Sequence, residues 1–286
     1  MVTLPGVSVD NLRNLRRQYS GTDSPEQCLD LDHFNQWPDA IDYCYNSRGF
    51  RDQEWPQDAT QLRTAIWCVG DSYTVGLGSA FVNTWPQRLA LRTGQRVVSV
   101  AMDGASNQWI ARRAGQICRE IDPQNLVIQW SYLHRREQDL YLRYEQVWQA
   151  WYDQHRAPHW PRTTWAEFHR LPRDLQAEIA VDATWPVWAD ETADFYREIH
   201  ATADSNQQDI EFTVRLWQLV TATRQTTNII HSTVPDFAPA GSREEFKKSA
   251  PESFIEIEKL DLARDGLHYG TKTADEFVTL VITQLA

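Results

Sequence analysis

Residues 65–76 read Ala-Ile-Trp-Cys-Val-Gly-Asp-Ser-Tyr-Thr-Val-Gly, and this stretch decides the fold. The continuous apolar run 65–69 ends at Gly70, which is typical of a strand buried on both faces. Such strands occur in parallel sheets that are covered by helices on both sides. The polar loop that begins at Asp71 therefore lies at the carboxyl end of a predicted buried strand.

A regular alternation of helices and strands follows. The predicted elements are a helix over 85–93, a strand over 96–101, a helix over 106–121, a strand over 126–130, a helix over 205–225, a strand over 227–231 and a helix over 273–285. The β-α-β-α-β order indicates the α/β fold class, with a parallel sheet, helices on both sides and right-handed crossovers.

Two parts of the chain fall outside this alternation. Residues 1–60 are polar and show little periodicity, so we interpret them as an irregular N-terminal arm packed on the domain formed by 61–286. Strand signals also stop over 135–204, where long, aromatic helical patterns such as 138–154 and 190–203 appear instead. This segment is too long for a connecting loop and is predicted to be a helical insertion over one edge of the sheet.

Composition excludes several classes of function. The 286 residues include 28 Lys or Arg and 39 Asp or Glu, for a net charge of −11, so we expect no nucleic-acid partner. No apolar run approaches the roughly 18 residues of a membrane span. Residues 1–17 lack the apolar core of a secretory leader, which favours a cytoplasmic start and leaves the compartment undetermined.

The four cysteines give no sign of a metal site. They form no C-x-x-C pair and no Cys/His ligand spacing, so no metal is expected. Cys68 and Cys118 lie in apolar segments and are predicted to be buried thiols. Cys28 and Cys44 could pair, but nothing in the sequence requires a disulfide.

Tryptophan is over-represented, at 13 of 286 residues, and part of the excess lies in the predicted insertion. These side chains either form the core of the inserted helices or present flat faces that stack on sugar rings. The residues concerned are Trp148, Trp151, Trp160, Trp165, Trp185 and Trp188.

Ser72 stands in the loop after the first predicted strand, where open parallel sheets bind their ligands. If a helix starts there, its free N–H groups favour negative charge beside the Ser72 hydroxyl. The alternative is that Asp71 or Ser72 only caps this helix.

Asp265 precedes His268 by three residues, just before the last predicted helix. A carboxylate at this spacing accepts the imidazole Nδ1–H and leaves Nε2 free to take a proton from a serine. Asp30 and His33 repeat the spacing, so the pattern also arises by chance. Because Asp30 and His33 lie in the arm, we interpret them as surface residues.

Gly104 follows the second predicted strand, within Asp103-Gly104-Ala105-Ser106-Asn107. A glycine there lets its backbone N–H approach a substrate oxygen, and together with the Ser72 N–H it provides two oxyanion donors. The alternative is a turn glycine that leads into a helix capped by Ser106 or Asn107.

Taken together, these features resemble the SGNH, or GDSL-type, family of serine hydrolases, from about Ile66 to the C-terminus. Gly70-Asp71-Ser72 matches its first block, Gly104 its oxyanion glycine, and Asp265 with His268 its last block. Thr84-Trp85-Pro86 and the stretch 46–51 resemble lesser features of some members. The resemblance implies a three-layer, flavodoxin-like sheet, a Ser72–His268–Asp265 triad and no cofactor.

This sequence departs from the family's pattern in the third block. Members usually carry Gly-x-Asn-Asp after the third strand, and the Asn side chain is the third oxyanion donor. Here the segment reads Gln129-Trp130-Ser131-Tyr132-Leu133-His134, without Asn. Ser131 is the candidate replacement, although it also fits an ordinary loop residue. Removing one oxyanion donor typically costs about 100- to 1,000-fold in turnover.

The resemblance predicts a serine carboxylic-ester hydrolase that removes O-acyl groups, such as acetyl, from a carbohydrate or another small ester. Two alternatives stay open because of the altered block and the shared triad chemistry. One is a catalytically weakened glycan-binding or structural protein, such as a phage virion component. The other is an O-acyltransferase. The sequence leaves the oligomeric state undetermined.

Overall fold

The computed structural model describes residues 7–135, 149, 151–163, 171–180, 203–238, 240–249 and 254–285. The chain forms two compact units, one of residues 1–136 with 208–286 and the other of residues 137–207. The second unit overlaps the range 135–204, for which the sequence predicts a helical insertion.

Helices and strands alternate along most of the described chain. In sequence order the elements are a 3-10 turn Asp10–Leu12, β1 Arg16–Arg17, α1 Leu31–Asn35, β2 Tyr43–Cys44, α2 Ala59–Thr64, β3 Ile66–Gly70, α3 Ser72–Val75, a 3-10 turn Phe81–Asn83, α4 Trp85–Thr93, β4 Val97–Ala101, α5 Asn107–Glu120, β5 Asn125–Trp130, α6 Arg173–Ala180, α7 Ala203–Thr223, β6 Asn228–Thr233, α8 Ala240–Ser249, β7 Phe254–Ile255 and α9 Thr271–Leu285.

The main unit contains a five-stranded, all-parallel sheet in the order β4-β3-β5-β6-β7. Ile66 of β3 pairs with Val97 of β4 on one side and with Asn125 of β5 on the other. The predicted parallel sheet and its flavodoxin-like strand order are thereby confirmed. The chain steps outward from β3 to β4 and then returns past β3 to β5. Right-handed crossovers therefore place α4 and α5 on opposite faces.

Burial explains why these segments form strands. Every residue of β3 and β4 is buried, and in β5 only Asn125 is partly exposed. Their Val, Ile, Leu and Trp side chains fill both layers between the sheet and its helices. Cys68 and Cys118 are buried free thiols in this core, as predicted.

The N-terminal arm is fastened to the sheet by charged side chains. The Asp52 carboxylate accepts two hydrogen bonds from Arg96, at 3.0 and 2.8 Å, and one from the Ser99 N–H of edge strand β4. The Arg51 guanidinium is buried and donates to the carbonyls of Val75, Gly76 and Ser79. These contacts hold the loop after α3 against the arm.

The second unit has a small aromatic core of its own. Trp151, Tyr152, Trp160 and Ile179 are buried together. Trp151 and Trp160 therefore follow the core interpretation. Trp148, Trp165, Trp185 and Trp188 lie outside the described residues, as does most of the predicted helical stretches 138–154 and 190–203. The residues of these stretches that the structure describes, 149, 151–154 and 203, are helical.

Candidate active site

The strand order places the candidate site at the topological switch point of the sheet. β3 lies between β4 and β5, so the chain leaves the carboxyl ends of β3 and β5 in opposite directions and opens a crevice there. Asp71 follows β3 and Ser131 follows β5. Asp71 caps α3 by accepting the Tyr73 N–H at 3.0 Å, which leaves Ser72 as the first residue of that helix.

Three predicted residues meet at this edge. His268 Nε2 lies 2.8 Å from Ser72 Oγ, and His268 Nδ1 lies 2.6 Å from Asp265 Oδ2. A buried carboxylate only accepts hydrogen bonds, so Nδ1 carries a proton, and in the corresponding neutral tautomer Nε2 accepts the Ser72 O–H. All three side chains are nearly buried, with exposures of 2% for Ser72, 4% for His268 and 0% for Asp265.

The Asp265 carboxylate is surrounded by donors. Its Oδ1 accepts the backbone N–H groups of Leu267 and His268, and its Oδ2 accepts the Thr22 hydroxyl at 2.7 Å in addition to His268 Nδ1. Burial alone raises the pKa of Asp265, but the His268 and Thr22 bonds outweigh it and hold the pKa below its ordinary value. The carboxylate is therefore ionised at neutral pH.

A close backbone approach sets the position of the Asp265 loop. The Arg264 N–H donates to the Gly78 carbonyl at 2.9 Å. Gly78 has a φ of +72°, and a Cβ there would come within 3.1 Å of the Arg264 and Asp265 nitrogens. Glycine is required at this position by both the backbone angle and the space. It brings the loop after α3 against the loop that carries Asp265.

Two backbone N–H groups follow the carboxyl ends of the neighbouring strands β3 and β4, at Ser72 and Gly104. Among the described residues, neither the Ser72 N–H nor the Gly104 N–H has a hydrogen-bond acceptor. Gly104 is exposed and has a φ of +70°, and no atom lies within 4 Å of the position of a Cβ. Unused donors of this kind suit a developing oxyanion.

Ser131 is held away from such a role by its partners. Its hydroxyl lies 2.5 Å from Asp71 Oδ2, and its N–H donates to Asn107 Oδ1. Asp71 is an acceptor when ionised, so the single Ser131 hydroxyl proton is directed to it. An oxyanion role for Ser131 requires this bond to break, and it stays a prediction.

Asp71 is itself a buried carboxyl group. Burial raises its pKa, while Arg135 at 3.3 Å and the Ser131 bond oppose this rise. The Asn107 amide donates to the Tyr132 carbonyl, and thereby joins the start of α5 to the end of β5. The altered third block is therefore a tightly hydrogen-bonded structural segment.

Tyr73 packs against His268. Its ring meets the His268 ring at an angle of 60°, with 4.5 Å between the centroids. Its hydroxyl lies 2.8 Å from that of Tyr132. The buried ring shields the imidazole and limits its rotation.

The second Asp-x-x-His pair has a different role. Asp30 Oδ1 accepts the His33 N–H and caps α1, and His33 Nε2 lies 2.9 Å from the Ala263 carbonyl. Asp30 is exposed, as predicted, but His33 is half-buried against the loop that precedes Asp265. His134 is exposed beside Tyr132.

Sequence reasoning missed several residues of this site. Thr22, Asp23 and Arg135 approach the site from segments without periodicity, and their residue types gave no signal. Arg264 precedes Asp265, but its buried ion pair with Asp23 joins positions 241 residues apart. Only the folded chain brings such pairs together.

Metal clusters and membrane spans are both lacking in the described ranges. Within them, no group of three or more His, Cys, Asp or Glu side chains is arranged to hold a metal ion. None of the helices in that part of the chain is both long and apolar enough to cross a membrane.

Comparison with protein-family models gives no match, and neither does comparison with curated proteins. The chain is similar to solved structures of GDSL lipases and carbohydrate esterases. TesA is 14% identical, with 78% of this chain and 98% of TesA covered and a TM-score of 0.42. A GDSL-like lipase from Bacteroides thetaiotaomicron is 11% identical, with coverages of 81% and 91% and a TM-score of 0.41.

A family two carbohydrate esterase from Clostridium thermocellum, solved in complex with cellohexaose, is 11% identical, with coverages of 82% and 66% and a TM-score of 0.43. These structures include proteins of the family that the sequence resembles. Similarities of this size do not assign an activity to the chain.

Proposed function

We propose that this chain is a serine carboxylic-ester hydrolase. The observation that carries the proposal is the continuous hydrogen-bonded path from Ser72 Oγ through His268 to Asp265 Oδ2, with steps of 2.8 and 2.6 Å. Ser72 and His268 are 196 residues apart in the chain. Nothing but the fold brings them together, and no metal or organic cofactor is needed for this chemistry.

His268 takes the Ser72 proton as the hydroxyl oxygen attacks the ester carbonyl. Asp265 keeps the proton of His268 on Nδ1 and stabilises the imidazolium that forms. The N–H groups of Ser72 and Gly104 bind the negative oxygen of the tetrahedral intermediate. His268 then protonates the leaving alcohol, and water releases the acid in a second, equivalent cycle. Ser131 is the proposed third donor only if its hydroxyl turns from Asp71.

The proposed substrate is a short acyl ester of a carbohydrate or another small alcohol. The near-complete burial of Ser72 favours an acetyl group over a long acyl chain. The two described tryptophans of the second unit are buried, so they give no support for sugar stacking. The glycan part of the proposal therefore depends on the resemblance stated from the sequence.

The test compares Ser72→Ala with Ser79→Ala, which removes another buried serine hydroxyl, in the loop that follows α3. We expect the parent and Ser79→Ala to hydrolyse p-nitrophenyl acetate and to be labelled by a fluorophosphonate. Ser72→Ala should lose both properties while keeping the parent circular dichroism spectrum. Equal rates in Ser72→Ala and the parent would reject Ser72 as the nucleophile.

The same assay distinguishes the alternatives. Tight glycan binding with neither turnover nor labelling would favour a binding or structural protein. Acyl transfer to a sugar faster than hydrolysis would favour an O-acyltransferase. In a series of p-nitrophenyl esters, we expect kcat/KM to fall as the acyl chain lengthens from acetyl to octanoyl.

A further inference from the structure

The N-terminal arm contacts the loop that carries two of the three residues of the proposed triad. Contacts run from residues 18–33 of the arm to residues 263–265. They are Arg264 to the Gln18 carbonyl, Arg264 to Asp23, Thr22 to Asp265, the Leu29 N–H to the Asp265 carbonyl, and His33 Nε2 to the Ala263 carbonyl.

Thr22 makes the contact nearest to the chemistry. Asp265 has no exposed surface, and four hydrogen bonds fix its carboxylate. Three of them come from Leu267 and His268, within the same turn. The Thr22 hydroxyl, at 2.7 Å, is the fourth, and it shares Oδ2 with His268 Nδ1.

The neighbouring ion pair holds Thr22 in place. Asp23 has no exposed surface and accepts two hydrogen bonds from Arg264, at 2.8 and 2.7 Å. The Tyr43 hydroxyl donates to the same carboxylate at 2.6 Å. Residues 22 and 23 therefore engage residues 265 and 264 side by side, and a bidentate pair restricts both backbones.

We propose that Thr22 is a positioning residue of the triad, so that the N-terminal arm completes the active site from outside the α/β domain. This inference rests on the proposed function, in which Asp265 orients His268. The Thr22 hydroxyl fixes Oδ2 in line with His268 Nδ1. Without it, Oδ2 keeps only the imidazole, and the ring loses a constraint on the direction of Nε2.

Thr22→Val and Thr22→Ser form a matched pair for the test. Valine keeps the shape of threonine and removes the donor, whereas serine keeps the donor and removes a methyl group. We expect kcat for p-nitrophenyl acetate to fall about tenfold in Thr22→Val, with KM within about twofold of the parent. Thr22→Ser should restore kcat to within about threefold of the parent.

A second readout needs no turnover. The proton between His268 Nδ1 and Asp265 Oδ2 gives a downfield resonance in one-dimensional proton NMR, which His268→Gln identifies by its loss. We expect Thr22→Val to shift or broaden this resonance and Thr22→Ser to return it to the parent position. If the parent hydrolyses no ester, the proposed function fails and this resonance alone decides the role of Thr22.

Two results would overturn the inference. One is an unchanged kcat and an unchanged resonance in Thr22→Val. The other is equal loss in Thr22→Val and Thr22→Ser, which would assign the effect to packing of the methyl group. Urea unfolding of both variants checks that the arm stays folded.

Discussion

His231 provides a test of the sheet interior that depends on pH. It lies in β6, with 2% of its surface exposed, and its Nδ1 lies 3.0 Å from the Trp130 indole nitrogen. An indole N–H only donates, so Nδ1 is unprotonated and the imidazole is neutral. Burial lowers the pKa of His231 from 6.5 to about 3, and the charge of Arg224 contributes in the same direction.

The sign of the effect follows from the pKa difference. Below pH 6.5 the unfolded chain binds a proton at this histidine, while the folded chain does not until about pH 3. The contribution of His231 to the free energy of unfolding is therefore fully present above pH 6.5, and it decreases as the pH falls from 6.5 to about 3. With a slope of about 1.4 kcal/mol per pH unit, the loss at pH 5 is about 2 kcal/mol.

The variant His231→Gln isolates this contribution, because its amide oxygen accepts the Trp130 N–H but does not titrate. Urea unfolding followed by circular dichroism gives the free energy of unfolding of both proteins at about pH 8, 6.5 and 5. We expect the parent's free energy minus the variant's to shrink by about 2 kcal/mol between pH 8 and pH 5. Asp52, whose pKa burial raises to about 6, acts in the opposite direction but is present in both proteins. A constant difference across the pH range would refute the reasoning.

Two predictions concern the candidate site. Asp265→Asn should keep the fold but lower kcat for p-nitrophenyl acetate by about 1,000- to 10,000-fold. The reason is that an amide cannot accept a hydrogen bond from His268 Nδ1 and also accept those from the other donors. A loss below tenfold would contradict the role of Asp265. Ser131→Ala removes a bond to buried Asp71, so urea unfolding should show a loss of about 1–3 kcal/mol while kcat falls less than about tenfold. A loss of 100-fold or more in Ser131→Ala would instead support the oxyanion role of Ser131.

The sequence predicts the sheet domain well because its strands are buried on both faces. The helix predicted over 85–93 coincides with α4, and the helix predicted over 106–121 differs from α5 by one residue at each end. Several other elements escape prediction, among them β7 and α8. β7 has two residues, which is too few for a periodic pattern, and α8 carries a run of charged residues on an exposed surface.

Among the residues of the candidate site, too, some are predictable from the sequence and others are not. Ser72, Asp265 and His268 stand in short motifs, and the parallel order of the strands brings the motif loops to one edge. Thr22 contacts Asp265 across 243 residues, and nothing in its local sequence distinguishes it from other arm residues. Contacts between an irregular segment and a loop depend on tertiary packing, which hydrophobic periodicity does not encode.

In the proposed mechanism, the segment after β5 affects how fast the ester is hydrolysed. Both donors of Ser131 are engaged, one by Asp71 and one by Asn107, so the end of β5 contributes structure where the family that the sequence resembles usually has an asparagine donor. In the proposed mechanism, the Ser72 and Gly104 N–H groups are then the oxyanion donors that the described residues offer. An active site with an intact triad and one donor fewer should still react with a fluorophosphonate at Ser72, but with kcat about 100- to 1,000-fold lower than a three-donor site. Labelling of Ser72 together with slow turnover is therefore the expected result. Labelling and turnover have to be measured separately before the chain is assigned as an enzyme or as a binding protein.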